Sequence, residues 1–237
     1  MNLSWAHLLA CYLLQLSFGV LSAFANTEKV IFLAPEKIEL PKDGPSIESL
    51  QIKTLTPAAN AFRTALPVVF PNSSYPKGSQ SWYVLHDLSP GTRYEVRVCW
   101  AATQPTSWDL DVFSLKQTME TPELIQGLAL FAEERVVSQG PGDINDENRP
   151  IKSPQSLLFL RVSGAADYFT LQNDLMDVPR PVKIDLILDP FLLNVFPRSL
   201  VPTALYIVGI AISGWFISGF VWQWLSTSII MQKPHAE

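Results

Sequence analysis

The sequence predicts a mainly β protein that is followed by one C-terminal membrane-spanning helix. Short apolar runs such as Leu50–Leu55 and Tyr94–Trp100 alternate with polar residues. A period of two places one side of a strand on a core and the other side in water. The 19 prolines outnumber the 11 glycines, and frequent proline between apolar runs suits strands joined by turns. The stretch from Leu200 to Ile230 contains no charged residue.

The predicted strands fall into two β-rich regions, residues 26–120 and residues 121–199. An acidic, turn-rich loop over residues 139–150 divides the second region, and Leu124–Glu134 is ambiguous between helix and strand. The second region is small for an independent sandwich, so it either completes one composite domain with the first or packs near the membrane. The strand candidates, in chain order, are 29–33, 37–40, 50–55, 94–100, 108–113, 157–162 and 182–188.

The uncharged C-terminal stretch predicts a transmembrane helix over residues 200–225 and a cytosolic tail over residues 226–237. Roughly 20 apolar residues cross a bilayer as a helix, and in hydrocarbon the backbone must satisfy its own hydrogen bonds. One alternative is a buried helix of a soluble protein, although such helices rarely run this long without a charge. The other is a GPI-attachment signal, for which the apolar run is too long.

A second apolar segment, near the N-terminus, predicts a signal peptide over residues 1–25. Leu8–Leu16 is too short to span a bilayer, and Ala23-Phe24-Ala25 fits the small-x-small cleavage pattern. The alternative is an uncleaved anchor. A cleaved signal peptide and one late span predict a single-pass type I protein with the bulk of its chain in the lumen.

The charge and the cysteines narrow the possible functions. The formal net charge of −5 provides no basic surface for nucleic acid. Cys11 leaves with the predicted signal peptide, so Cys99 is the only cysteine of the mature chain, and no intramolecular disulfide can form. Asn72-Ser73-Ser74 is an acceptor sequence for N-glycosylation in a predicted exposed loop.

The sharpest local motif is the segment Leu88–Val98. Leu88, a proline and Tyr94 stand at the spacing of a tyrosine corner, so this segment resembles the turn and following strand of fibronectin type III domains. The resemblance implies that the tyrosine hydroxyl bonds backbone upstream and fixes a crossing between two sheets. We therefore predict an immunoglobulin/fibronectin-III-like β-sandwich region in which Leu88 and Tyr94 have a structural role.

Groups that support catalysis or metal binding are sparse. Two histidines remain after the predicted cleavage, and no G-x-S-x-G, H-E-x-x-H or Walker sequence occurs. Asp109 and Asp111 share one face of a predicted strand, and Asp185 and Asp189 flank an apolar run. A solvated strand face is the favoured interpretation of both pairs. We predict no catalytic residue, no cofactor site and no metal site.

Small residues in the predicted span are candidates for contact with another membrane helix. They form two pairs four residues apart, and such small-x-x-x-small pairs let two helix backbones approach closely. Small residues also occur in spans that have no partner. The candidates are Gly209, Ser213, Gly214, Ser218 and Gly219.

The layout and two segments, Arg93–Thr106 and Leu188–Pro202, are similar to a known family. They resemble the fungal co-activator subunits of GPI-mannosyltransferase II, which are small endoplasmic reticulum proteins with a signal peptide, a luminal region and one late span. The resemblance implies a non-catalytic subunit that stabilises or activates a polytopic mannosyltransferase, the enzyme that adds the second mannose in GPI-anchor biosynthesis. It carries no catalytic residue that could be transferred.

Three other functions remain open for this architecture. One is the stabilising subunit of the first GPI mannosyltransferase. Another is a single-span cell-surface receptor or adhesion protein with a fibronectin-like ectodomain, although the predicted tail is too short for signalling sequence. The third is a membrane-anchored luminal enzyme, which the scarcity of histidine and of catalytic motifs disfavours.

Overall fold

The protein is described by a computed structural model over residues 25–39, 47–139 and 153–231. The predicted signal peptide lies outside these residues except for its last residue, and the predicted acidic loop lies outside them except for its first. Residues 232–237 of the predicted tail also lie outside the described part of the chain.

The strands form two sheets, which confirms the prediction of a mainly β protein. The first sheet has the order β1-β5-β8-β3, is antiparallel throughout, and is extended by β9, which pairs with the end of β8. The second has the order β2-β4-β7-β6, with only β2 and β4 parallel. The strands are β1 (Ala25–Leu33), β2 (Thr54–Leu55), β3 (Ala61–Leu66), β4 (Ser79–Leu85), β5 (Arg93–Ala101), β6 (Thr106–Ser114), β7 (Leu158–Ala166), β8 (Val182–Leu192) and β9 (Phe196–Pro197).

Apolar residues at alternate strand positions form the core between the two sheets. Val96 and Val98 of β5 and Leu186 of β8 are fully buried there, together with Leu160 and Val162 of β7 from the facing sheet. Burying a side chain of this kind stabilises the fold by about 1.5–3 kcal/mol. The alternate apolar residues that predicted β5 and β8 thus form the surface through which the two sheets pack.

The two predicted β-rich regions share both sheets. β8 lies between β5 and β3, and β7 lies between β4 and β6, so each of these late strands pairs with two strands from residues 26–120. Strands from both predicted regions therefore lie side by side in each sheet.

The described residues form two helices between β6 and β7, a short helix between β7 and β8, and a long helix after β9. They are α1 (Leu115–Glu120), α2 (Pro122–Gln139), α3 (Asn173–Asp177) and α4 (Val201–Met231). The ambiguous segment Leu124–Glu134 lies within α2. Leu124 and Leu128 of this helix pack against Trp82 and Phe159 on the outer side of the second sheet, in a smaller second core.

Two strand predictions were wrong in extent. Residues 50–55 divide into a 3₁₀ turn, Ile47–Leu50, and the two-residue strand β2. Gln51 lies between them with a φ of 51°, a left-handed conformation that interrupts a strand. In the predicted strand 37–40 only Ile38 forms a bridge, to Gln155, among the residues that the structure describes.

The C-terminal helix α4 is the one described helix that is long and apolar enough to cross a membrane, by length and composition. It has 31 residues, and at about 1.5 Å per residue it exceeds the roughly 30 Å hydrocarbon thickness of a bilayer. None of its apolar window is buried against the rest of the described chain. The helix contains residues 201–225 of the predicted span and continues into the predicted tail.

Candidate functional site

The outer face of the first sheet carries two buried carboxylates. Glu95 of β5 and Asp189 of β8 are directly opposite each other in the register, and they are 1% and 3% exposed. They alternate along their strands with the core residues Val96 and Leu188, so their side chains lie on the other side of the sheet. A buried carboxylate is costly unless it is paired and hydrogen-bonded, so this location requires cations.

Two cations compensate these carboxylates. Arg97 Nε lies 3.3 Å from Glu95 Oε1, and another nitrogen of the same guanidinium, Nη2, lies 3.7 Å from Asp189 Oδ2. Lys29 Nζ of β1 lies 3.5 Å from Glu95 Oε2. Arg97 therefore bridges β5 and β8, and Lys29 adds β1 to the same group of charges.

Ser199 connects this group to the start of α4. It lies in the 3₁₀ turn Arg198–Leu200, directly before the helix. Its backbone N–H donates to both oxygens of Asp189, at 3.3 and 3.2 Å, and its Oγ accepts from Arg97 Nη2 at 3.3 Å. A carboxylate beside the first turn of a helix also interacts favourably with the helix dipole. We call Lys29, Glu95, Arg97, Asp189 and Ser199 the junction cluster.

The junction cluster joins the two segments that carry the family resemblance. Glu95 and Arg97 belong to Arg93–Thr106, and Asp189 and Ser199 belong to Leu188–Pro202. Sequence reasoning considered Asp189 only as the neighbour of Asp185 and did not single out the others. The sequence did contain a signal for this cluster. Glu95, Arg97 and Asp189 are charged residues inside strands that otherwise alternate regularly between apolar and polar positions.

The predicted carboxylate pairs are divided between different partners. Asp109 pairs with Lys77, whereas Arg161 Nη2 donates to Asp111 Oδ2 at 2.6 Å. The hydrogen bond to Asp109 raises the pKa of Lys77 above its ordinary value. Within the described residues no group of three or more His, Cys, Asp and Glu side chains could hold a metal ion.

Asp185 lies on the same strand and face as Asp189 but in a different environment. Arg63 of β3 donates from Nε and Nη2 to its two carboxylate oxygens, at 2.7 and 2.8 Å. This bidentate hydrogen bond lowers the pKa of Asp185 and raises the pKa of Arg63. The Asp185 side chain is 37% exposed, so the pair is a surface ion pair rather than part of the junction cluster.

The five small residues of the predicted span do not share one helix face. At about 100° per residue, Gly209 and Ser213 lie roughly 40° apart, and so do Gly214 and Ser218. The centres of these two pairs are roughly 140° apart around the helix, and Gly219 lies between them on the remaining side. One partner helix can therefore contact only one of the two pairs closely.

The glycines of α4 have open space around them. A Cβ added at Gly209, Gly214 or Gly219 would meet no atom within 4 Å, so packing within the described chain does not require glycine there. The Ser213 hydroxyl donates to the carbonyl of Gly209 at 2.8 Å. The Ser218 hydroxyl makes no hydrogen bond within the described residues, which leaves it available to another helix.

Leu88 and Tyr94 lie at the crossing from the second sheet to the first. The chain leaves β4, turns, and enters β5, and both residues are 2% exposed. The Tyr94 hydroxyl accepts a hydrogen bond from the backbone N–H of Ser89 at 3.1 Å. Gly91 in this turn has a φ of 70°, which favours glycine. The tyrosine thus ties the turn to the strand that follows it.

Asn72 lies in the exposed loop between β3 and β4. Its Oδ1 accepts from the backbone N–H groups of Ser74 and Tyr75, at 2.9 and 2.8 Å. Its Nδ2, the atom that glycosylation modifies, makes one long hydrogen bond, to the carbonyl of Phe70 at 3.4 Å. The loop follows the end of β3 at Leu66, which is opposite Val182 at the start of β8, whereas Asp189 of the junction cluster lies towards the other end of β8.

A comparison with known protein families found a match to nearly half of the chain. Residues 16–129 match the Pga1 family, the GPI-mannosyltransferase II co-activators. The match confirms the resemblance and associates the protein with GPI-anchor biosynthesis and a mannosyltransferase complex. It contains Lys29, Glu95 and Arg97 of the junction cluster, whereas Asp189, Ser199 and α4 lie beyond it. No curated protein and no solved structure matches the sequence.

Proposed function

We propose that the protein is a non-catalytic subunit that stabilises or activates the polytopic mannosyltransferase adding the second mannose in GPI-anchor biosynthesis. The family match is the observation that carries this proposal, because its residues 16–129 include β1–β6 and thus strands from both sheets. The same match names the second mannosyltransferase, which favours it over the first as the partner. The enzyme supplies the chemistry, and this chain supplies contacts.

We propose that α4 crosses the endoplasmic reticulum membrane once and that the sandwich is luminal. The length and exposure of α4 support the span. The exposed acceptor sequence at Asn72 is then accessible to glycosylation in the lumen, after removal of the signal peptide. We also propose that the sandwich has an immunoglobulin/fibronectin-III-like fold, which the hydrogen bond between Ser89 and Tyr94 supports.

The junction cluster gives a physical reason why such a subunit can act without chemistry. It holds the start of α4 to β5 and β8 through buried, hydrogen-bonded charges. An enzyme that contacts both the sandwich and α4 therefore meets two surfaces whose relative position is fixed in advance. Preorganised contacts lose less conformational entropy on binding, and two linked contacts reinforce each other.

The Gly214–Ser218 pair is the contact face that we propose for a helix of the enzyme. Ala204 and Ala211 lie on the same side of α4, which also carries Ile207 and Trp222. The opposite side, with Gly209, also carries the bulky residue Phe220. The two pairs differ in their serines: the Ser213 hydroxyl is bonded to the Gly209 carbonyl, whereas the Ser218 hydroxyl is available to a partner helix that approaches at Gly214.

Affinity purification in mild detergent tests this function. We expect the tagged full-length protein to recover a polytopic GPI mannosyltransferase, identified by mass spectrometry. We expect Gly214→Leu to reduce the recovery strongly, because leucine blocks close helix approach, and Gly209→Leu to leave it near the wild-type level. The two variants are matched, since each adds the same side chain to an open position of the same helix.

Three results would count against the proposal. Recovery of the first GPI mannosyltransferase alone would favour the alternative partner. Residence at the cell surface with no mannosyltransferase recovered would favour a receptor or adhesion protein. Equal recovery with both glycine variants would exclude the Gly214 face as the contact, while leaving the partner itself established.

A further inference from the structure

Large apolar side chains are exposed around the place where α4 leaves the sandwich. In the turn between β8 and β9, Leu193 is 94% exposed and Val195 is 71% exposed. At the end of β1, Ile31 and Leu33 are about half exposed. These residues belong to one surface, which we call the apolar rim: Ile31, Leu33, Leu193, Val195, Phe196 and Leu200.

Hydrogen bonds from Asn194 hold the β8–β9 turn beside the end of β1. The Arg93 N–H donates to Asn194 Oδ1 at 2.8 Å, and Asn194 Nδ2 donates to the carbonyl of Gly91 at 3.0 Å. Leu33 is opposite Arg93 in the register of β1 and β5. The two parts of the apolar rim are therefore neighbours in space.

The turn between β8 and β9 holds Leu193 outward. Leu193 has a φ of 51° and Asn194 a φ of 58°, and the Val195 N–H donates to the Leu192 carbonyl at 2.9 Å, as in the primed turns that join hairpin strands. The described chain leaves the Leu193 side chain unburied. A tight turn that presents apolar side chains to the outside points to a contact beyond the chain.

The apolar rim is continuous with the start of the span. Ser199 is hydrogen-bonded to Asp189, and Leu193 follows Asp189 by four residues, a distance of about 13 Å along a strand. α4 begins two residues after Ser199. The rim therefore lies beside the point at which an embedded α4 leaves the bilayer.

Cations accompany the apolar rim. Arg93 and Arg198 are exposed beside it, and the Arg93 guanidinium lies 5.9 Å from the centre of the Phe191 ring. The carboxylates of this face, Glu95 and Asp189, are compensated within the junction cluster. Apolar side chains flanked by arginine match the boundary of a bilayer, where acyl chains meet phosphate groups.

We propose that the apolar rim lies in the headgroup–acyl boundary of the leaflet from which α4 emerges, so that the sandwich rests on the lipid. This inference depends on the membrane anchorage in the proposed function. The rim and α4 are then two attachments to one bilayer, and they fix the tilt of the sandwich over the membrane. Lipid is the favoured occupant because it is already present wherever α4 is embedded.

Fluorescence quenching in nanodiscs tests the proposal with the full-length protein. Single cysteines on a Cys11→Ser, Cys99→Ser background carry an environment-sensitive fluorophore at Val195, at Leu171 or at Phe216, and the background protein is the blank. Leu171 is the matched control, since it is an apolar residue that is 89% exposed in the loop between β7 and β8. Phe216 lies in the middle of α4 and reports whether the span is embedded.

We expect phospholipids with a spin label high on the acyl chain to reduce the fluorescence at position 195, and phospholipids with a label deep on the acyl chain to reduce it at position 216. We expect neither label to reduce the fluorescence at position 171. Quenching at 216 with no difference between 195 and 171 would overturn the apolar rim as a lipid contact and leave the anchorage intact. Protection of position 195 from an aqueous quencher only when the mannosyltransferase is added would overturn it in favour of a protein contact. An unquenched position 216 would contradict the anchorage itself.

Discussion

Tyr94 shows how one side chain positions a functional surface at the scale of the residue. Its ring is buried in the core and lies 6.0 Å from the ring of Phe32, in a stacked arrangement. Its hydroxyl accepts from Ser89 at the crossing between the sheets. The next residue, Glu95, belongs to the junction cluster, so the crossing also determines where that carboxylate lies.

We expect Tyr94→Phe to destabilise the sandwich by about 1 kcal/mol, because it removes a hydrogen bond and keeps the ring. For a domain of this size the melting temperature should fall by about 2–4 °C in a thermal unfolding measurement. Tyr75→Phe is the control, since Tyr75 is half exposed in the loop before β4. Equal shifts in both variants would refute the role of the Tyr94 hydroxyl.

The sequence predicts Tyr94 and Leu88 better than it predicts the junction cluster. A tyrosine corner depends on residues six positions apart, so its spacing is visible in the chain. The pairing of Glu95 with Asp189 joins residues far apart in sequence and depends on the register of β5 and β8. Such a register is fixed by the whole core, which a local pattern does not contain.

At the scale of the element, the connection from β8 to α4 is short and held by charge. The chain leaves β8, forms the turn and β9, and enters the 3₁₀ turn that bonds to Asp189. Without the hydrogen bonds to Asp189 and Arg97, the 3₁₀ turn would be held only by the chain on either side. The junction cluster therefore adds side-chain hydrogen bonds to the attachment between α4 and the sandwich.

We expect Asp189→Asn to loosen this attachment, because it removes a buried charge that pairs with Arg97. The free energy of unfolding should fall by about 1–3 kcal/mol. Hydrogen–deuterium exchange should become faster in the turn at residues 198–200. Asp185→Asn is the matched control, since it lies on the same strand and face but pairs at the surface with Arg63. Unchanged exchange in the turn of Asp189→Asn would show that the junction cluster does not hold it.

Element prediction succeeded where one face of the element meets the core in a regular pattern. In β5, Val96 and Val98 face the core, and Glu95 and Arg97 face outward. The predicted bounds of this strand, residues 94–100, differ from the observed ones by one residue at each end. β4 was missed because its last five residues are all buried, between the core and α2, so alternation is absent. β3 was missed because it is a mostly exposed edge strand with little apolar contrast.

At the scale of the whole molecule, the sandwich depends on strands from both ends of the sequence that precedes α4. Residues 16–129, which match the family, contain β1–β6 but lack β7 and β8, the strands that join the others in each sheet. Without β8, β3 has no partner in the first sheet, and without β7, β6 has none in the second. The surface offered to a partner is thus a property of the complete chain.

Reconstitution of the second mannose transfer tests the central claim, that this chain activates an enzyme without performing chemistry. The purified mannosyltransferase is assayed in lipid with and without the full-length protein, and the full-length protein is assayed alone. We predict efficient transfer of the second mannose only when both proteins are present, and no transfer by this chain alone. Transfer by this chain alone, or equal activity of the enzyme without it, would contradict the account.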